Sequence, residues 1–314
     1  FGNYDRIARV MQNQTFNGRI ETRESQPMQL GDELRNVYGS NFEHVVMSTW
    51  TWDHKLTYED RSVRKPGNFM EAGVAEMLSL KMVHGSQTGA LKDLQSILLS
   101  ESAANALFGS TNPLEKIIRL DDKLDVTVTG VYKDLPHNSS FGGVSIILPW
   151  DLHIETEGLR NRIGWGNNWF QCIVQMADHV DLHHASEIIK DTKLKRVRAA
   201  GDDARYNPQL FLYPMSRWHL YSDFKNGQSV GGRIENVRLF GAIGIFVLLL
   251  ACINFMNLST ARSEKRAKEV GIRKTIGSVR MQLINQFFTE SFLVVSLAFA
   301  VSLVAVELTL PWFN

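Results

Sequence analysis

Two long apolar stretches near the C-terminus, with a basic segment between them, restrict what this chain can fold into. Leu239 to Leu258 contains no charged residue, and Phe287 to Val306 contains only Glu290. The hydrocarbon core of a bilayer is about 30 Å thick, and about 20 apolar helical residues cross it. Between the stretches lie Arg262, Lys265, Arg266, Lys268, Arg273, Lys274 and Arg280, answered only by Glu264 and Glu269. A solvated helix face is the plain source of such a charge run. Its place between two spans favours a topological one, because Lys and Arg gather in short cytoplasmic loops. The expectation is two transmembrane helices, at about 239–258 and 287–306, joined by a cytoplasmic segment. Residues 1–238 would then lie on the far side of the membrane.

Composition sets further limits. The 314 residues hold 34 Lys+Arg against 33 Asp+Glu. That balance argues against nucleic acid as a partner, since phosphate binding needs a basic surface. Cys172 falls in the large N-terminal region and Cys252 inside a span, so no disulfide between them is expected. The redox compartment stays open on this evidence. Phe1-Gly-Asn-Tyr-Asp-Arg6 is polar and lacks the apolar core of a signal peptide. A domain outside the cytoplasm needs an export signal, so a further span is expected ahead of the sequence. Pro311-Trp-Phe-Asn314 likewise reads as a chain that continues.

The region before the spans mixes short strands and helices without a regular repeat, which predicts an α+β domain. Strands are expected at Phe16–Arg23, Val45–Trp52, Ser96–Leu99, Leu124–Val131, Ile146–Trp150 and Gln171–Met176. A helix over Met28–Tyr38 would bury Leu30, Leu34 and Val37, with Gly39 as its stop. Ser100 would cap a helix running to Leu107, ended by Gly109. Asn112-Pro-Leu-Glu115 has the form of a capping box at a helix start. His184–Arg198 reads as a helix with Ile188, Ile189 and Val197 inward. Gly231-Gly232 marks the expected boundary, giving domains 1–232 and 233–314. From Arg233 one continuous helix should enter the membrane and carry on past Leu258. Glu264 with Lys268, and Glu269 with Arg273, are favourable i,i+4 pairs on it. Gly277 would stop that helix and Ser278 cap the next, on which Ile284, Phe287, Phe288 and Ser291 share a face.

Three segments then carry a resemblance: Ala251-Cys-Ile-Asn-Phe-Met-Asn-Leu-Ser-Thr-Ala-Arg262, Lys265-Arg-Ala-Lys-Glu-Val-Gly-Ile-Arg-Lys-Thr-Ile-Gly-Ser278 and Gln286-Phe-Phe-Thr-Glu-Ser291. They resemble the FtsX-like permease domain of MacB-type ABC transporters. Upstream, Tyr4–Val10, Ser96–Ser102, Leu107–Gly109, Asn112–Lys116 and Val128–Ser139 resemble that family's periplasmic core domain. The resemblance implies a permease half with four spans in the bacterial inner membrane, of which this sequence would hold the second and third. It implies a separate cytoplasmic ABC ATPase subunit, a second permease half or protomer, and surrounding membrane lipids. A periplasmic adaptor is a further partner it allows. The function implied is coupling of ATP hydrolysis to movement of the periplasmic domain, for export, efflux or mechanotransmission. The alternative is a membrane regulator of a periplasmic cell-wall hydrolase.

The candidate coupling residues are Glu264, Lys265, Arg266, Lys268, Glu269, Val270, Ile272, Arg273 and Lys274. Charges there would orient docking on an ATPase while Val270 and Ile272 supply contact. The competing reading is a topology anchor that binds anionic headgroups. Asn254, Asn257 and Glu290 are the intramembrane polar positions. The amides should face another helix or reach headgroup water, and Glu290 should be functional or snorkel. Asp178, His179, Asp181, His183 and His184 are better read as a solvated helix start, capped by Asp181, than as a metal site. Trp50, Trp52, Trp150, Trp165, Trp169 and Trp218 could bind an apolar ligand or partner, core packing being the plainer reading. Gly85–Lys92 lacks the Gly-Lys-Ser/Thr ending of a phosphate loop, and Asn138-Ser-Ser140 is a weak glycosylation pattern. No His-Glu-x-x-His run occurs. The chain is therefore expected to be no enzyme and to need no cofactor.

Overall fold

Asn17 and Gly18, at φ 49° and 78°, turn the chain back on itself between β1 (Ile7–Phe16) and β2 (Arg19–Arg23). Two positive φ values in a two-residue loop match the twist of the paired strands, and Asn-Gly is the pair that adopts them most readily. The single strand expected over Phe16–Arg23 is therefore a hairpin whose first arm starts at Ile7. The computed structural model describes residues 2–136, 138–160, 162–202, 204–277 and 279–313, leaving out the side chains of 262–266, 269 and 313. The chain divides into two units, Phe1–Asn236 and Val237–Asn314.

In the first unit the hairpin is followed by α1 (Leu30–Tyr38), β3 (Phe42–Ser48), β4 (Trp52–Tyr58), β5 (Arg61–Met70) and α2 (Val74–Met77). Next come β6 (Met82–His84), β7 (Ser96–Ser100), α3 (Glu101–Phe108), β8 (Ile117–Leu120), β9 (Leu124–Tyr132), β10 (Ile146–Pro149) and α4 (Trp150–Thr156). The unit ends with β11 (Gln171–Met176), α5 (Leu182–Ile189), α6 (Thr192–Ala199), β12 (Gln209–Pro214), β13 (Asp223–Lys225) and β14 (Gln228–Gly231). Strands β1 to β12 join one sheet. Six of them close a ring: β4 pairs β5, β5 pairs β10, and the path returns through β7, β9 and β8 to β4. The β5–β10 and β7–β9 pairs are parallel and the other four antiparallel. The remaining path runs from β5 through β3, β11 and β1 to β12. The ring core holds Leu56, Ile97, Leu99, Val126, Val128 and Ile146, with Leu107 of α3. Each such side chain contributes about 1.5–3 kcal/mol when fully buried.

Local chemistry explains the matches and the misses. Ser100 Oγ accepts from Ala103 N–H at 3.2 Å and caps α3, which ends at Gly109 with φ 63°. Asp181 accepts from the His183 and His184 amides at 2.9 and 3.1 Å, capping α5 as expected. Leu30 and Leu34 of α1 are buried, whereas Val37 is 53% exposed. The strand expected to reach Trp52 stops at Ser48, because Thr49–Thr51 redirects the chain into β4. Asn112-Pro113 starts no helix. Asn112 Oδ1 accepts from Leu114 N–H at 3.1 Å, Glu115 takes φ 62°, and its N–H bonds Val128 O at 2.9 Å. The same residue types serve a turn, and the turn feeds β8 onto β9. The helix expected over His184–Arg198 breaks at Lys190-Asp191 into α5 and α6, burying Ile189 and Val197 with Ile188 half-buried.

The second unit is helical: α7 (Arg233–Thr275) and α8 (Arg280–Phe313). Both are long and apolar enough to cross a membrane, over Arg233–Ala261 and Arg280–Trp312. Threonine hydroxyls along them bond within their own helix, as lipid requires of polar groups. Thr260 Oγ1 donates to Met256 O at 2.9 Å, and Thr289 Oγ1 to Asn285 O at 2.7 Å. The architecture is an α+β domain followed by apolar helices.

Candidate functional site

The basic segment does not leave the helix that carries the first apolar stretch. Helix α7 continues through it to Thr275, and Gly277 at φ 96° makes the reversal into α8. The amides of Ile276 and Gly277 bond Ile272 O and Lys274 O, both at 3.2 Å, closing the last turn. Arg273 Nη1 donates to Gln286 Oε1 at 2.7 Å and ties α7 to α8 across the reversal. Gln286 was not singled out from sequence, because an isolated Gln carries no pattern of its own. Ser278, the expected cap of α8, lies outside the described residues.

The expected coupling residues all fall on the last part of α7. Lys268, Ile272 and Lys274 are exposed, while Val270 and Arg273 are half-buried. The side chains of Glu264, Lys265, Arg266 and Glu269 lie outside the description, so the Glu264–Lys268 and Glu269–Arg273 pairs do too. Asn254 and Asn257 are on α7 and Glu290 on α8, all three exposed on the isolated unit. The face expected on α8 is present. Ile284, Phe287, Phe288 and Ser291 line a groove of about 540 Å³, joined by Phe292 and by Phe255 of α7. With no charged residue in its lining, this groove suits another apolar helix.

The first unit holds a polar cleft of similar size, about 540 Å³, lined by Arg35, Glu43, His44, Glu71, Lys92 and Asp151 among others. One Arg–Glu pair lies within it. Arg35 donates to both Glu71 oxygens, at 2.7 and 2.8 Å, and this raises its pKa despite partial burial. Lys193 of α6 is a feature that sequence gave no sign of. It is 1% exposed, and its Nζ donates to Gln12 Oε1 at 2.5 Å and to Asn168 Oδ1. Burial, with a smaller effect from Arg23, pulls its pKa down to about 7. A lysine on an amphipathic helix ordinarily reads as solvent-facing, so only the tertiary fold reveals it.

The tryptophans separate into two sets. Trp150 and Trp218 are buried, and Trp165 packs on the core from its edge. Arg9 lies over the Trp218 ring at 4.4 Å. Trp50, Trp52 and Trp169 stay exposed.

Comparison with known proteins adds the following. The profile of the MacB-like periplasmic core domain matches residues 1–192, and that of the FtsX-like permease C-terminal region matches residues 241–314. Among curated relatives, the macrolide export ATP-binding/permease protein MacB of Neisseria meningitidis is 25% identical over 226 residues, covering 68% of this chain and 31% of that protein. The ABC transporter permease YknZ of Bacillus subtilis is 22% identical over 270 residues, covering 83% of this chain and 61% of that protein. The chain thus spans about a third of the length of the MacB relative. A crystallised domain of a Porphyromonas gingivalis protein described as a permease is 23% identical with a TM-score of 0.54, covering 68% of this chain and 92% of its own, and shares the fold of the first unit.

Proposed function

The chain belongs to the ABC transporter permease family that joins a MacB-like periplasmic core domain to an FtsX-like membrane region, and we propose that it converts ATP hydrolysis by a separate cytoplasmic ATPase into a shape change of its first unit. In this reading the membrane is the bacterial inner membrane and residues 1–238 lie on its periplasmic side. The chain performs no covalent chemistry itself. A second copy or permease half would pack in the apolar groove between α7 and α8.

The observation that carries the proposal is the continuity of α7. One helix holds the apolar span and the whole basic stretch as far as Thr275. At 1.5 Å per residue it is about 65 Å long, roughly twice the hydrocarbon core. The stretch after Leu258 extends about 25 Å beyond the span, enough to reach a protein on the cytoplasmic face. A helix transmits displacement along its axis because each turn is hydrogen-bonded to the next. A flexible loop with the same charges would anchor topology equally well but transmit little.

The test is to reverse Arg273 and Lys274 together to Glu in the full-length protein. Purified with the ATPase that accompanies it, the variant should lose most permease-stimulated ATP hydrolysis while inserting normally in the membrane. Unchanged stimulation would defeat the coupling reading and leave the anchoring role.

A further inference from the structure

The three exposed tryptophans border one groove. Trp50, Trp52 and Trp169 are 41%, 39% and 50% exposed, and they line a cavity of about 260 Å³ with His153, Glu157 and Phe170. Three partly covered indoles present apolar surface at one place, outside the core that Trp150 and Trp218 fill. Their frame is fixed. Trp50 Nε1 donates to Trp169 O at 2.9 Å. The Trp52 ring lies 5.8 Å from His153 and 6.1 Å from Phe69, and Phe170 stands edge-on to His153 at 6.0 Å.

Glu157 is the one carboxylate in the groove's lining, which holds no Lys or Arg. Glu157, which follows α4, is exposed, and Arg162 donates to its backbone carbonyl at 3.3 Å. Among the described residues no Lys or Arg pairs with its carboxylate. Burial lowers the pKa of His153, with Glu157 opposing the effect and His54 adding to it, so the imidazole brings no positive charge to the groove near pH 7. Indole faces attract cations through their quadrupole, most strongly where water is displaced. A carboxylate beside such faces selects for positive charge over a neutral body of equal size.

We infer that this groove binds an organic cation, an amine or quaternary ammonium attached to an apolar body, with Trp50, Trp52 and Trp169 against its ammonium end and Glu157 as counter-charge. The cavity falls below the span of drug-sized sites, about 300–1,000 Å³, so it takes the charged end of a ligand whose body extends outward. The site concerns binding alone and stands independently of the transport reading.

The experiment titrates the full-length protein, in a nonionic detergent, with benzyltrimethylammonium and separately with neutral benzyl alcohol. Tryptophan fluorescence and heat release are followed together. The expected result is saturable binding of the cation and at least about tenfold weaker binding of the alcohol. Trp52→Leu and Trp169→Leu should each weaken cation binding by about threefold to thirtyfold. Glu157→Gln should weaken it and remove most of its salt dependence. Thermal melting of each variant checks that it is folded. Should a tryptophan variant not fold, Glu157→Gln still decides, because that side chain is exposed. The inference is overturned by absence of saturable cation binding, by equal affinity for the alcohol, or by unchanged affinity in Glu157→Gln and the folded tryptophan variants.

Discussion

The Arg35 guanidinium meets the Glu71 carboxylate fork to fork, at 2.7 and 2.8 Å, and the same carboxylate accepts the Met47 N–H at 2.7 Å. One side chain thereby ties α1, β3 and the end of β5. Glu71→Ala leaves the Met47 N–H without its acceptor and takes two hydrogen bonds from the Arg35 guanidinium, which keeps Asp32 and the Val45 carbonyl. It should destabilise the first unit by about 2 kcal/mol, the usual range for lost hydrogen bonds to a charged group. Denaturant unfolding followed by tryptophan fluorescence measures this, because every tryptophan except Trp312 lies in that unit.

The buried amine of Lys193 sets a pH dependence. Its folded pKa of about 7 lies below its usual 10.5, so between those values the unfolded chain holds a proton that the folded chain has released. Stability then rises with pH through that window, by at most about 1.4 kcal/mol per pH unit. Below about pH 7 the full penalty for charging a buried ammonium applies. Cys172 and Tyr132, whose pKa values are raised chiefly by burial, act in the opposite sense in more alkaline solution. The readout is therefore the difference between parent and Lys193→Met from pH 7 to 9. The parent should gain stability across that range relative to the variant, and parallel curves would show that Lys193 is charged when folded.

Gly67 is the contact point of the β5–β10 pair. A Cβ there would lie 2.1 Å from Ile146 Cγ1 and 2.9 Å from the Ile146 carbonyl oxygen. Gly67→Ala should cost about 1–3 kcal/mol, since the backbone oxygen cannot rotate away. Gly143→Ala, where nothing lies within 4 Å, is the control and should change the unfolding midpoint little.

Topology has a direct test. Single cysteines at Asp60, exposed in the turn between β4 and β5, and at Lys268, exposed on α7, are introduced with Cys172 and Cys252 replaced. An impermeant thiol reagent applied to intact cells should label position 60 and spare position 268. The reverse pattern would invert the membrane orientation.

Much of this was legible because local chemistry and tertiary structure agree. Ser100 and Asp181 cap helices by side-chain geometry that operates within three residues, and the apolar runs of α7 and α8 need only a count. Asn112-Pro113 and Lys190-Asp191 mislead because their outcome depends on distant strands, β9 for the first and β12, whose Leu210 N–H bonds Lys190 O at 2.8 Å, for the second. Turn and helix start share residue types, and β9 decides between them by accepting Glu115 N–H at Val128. Lys193 and the tie between Arg273 and Gln286 are contacts between elements, which no single-segment pattern encodes. The tryptophans were visible as a set, but their division into core and surface was not.

The strand ring of the first unit has a consequence for how copies of this protein coexist at high density. A strand can be traded between two molecules only if it can peel from one edge, and within this circuit every strand is held on both sides. Exchange would have to rupture two ladders at once, so the ring favours molecules that stay separate, and the strands paired on one side only, β2, β6 and β12, are left as the places where a foreign strand could be added.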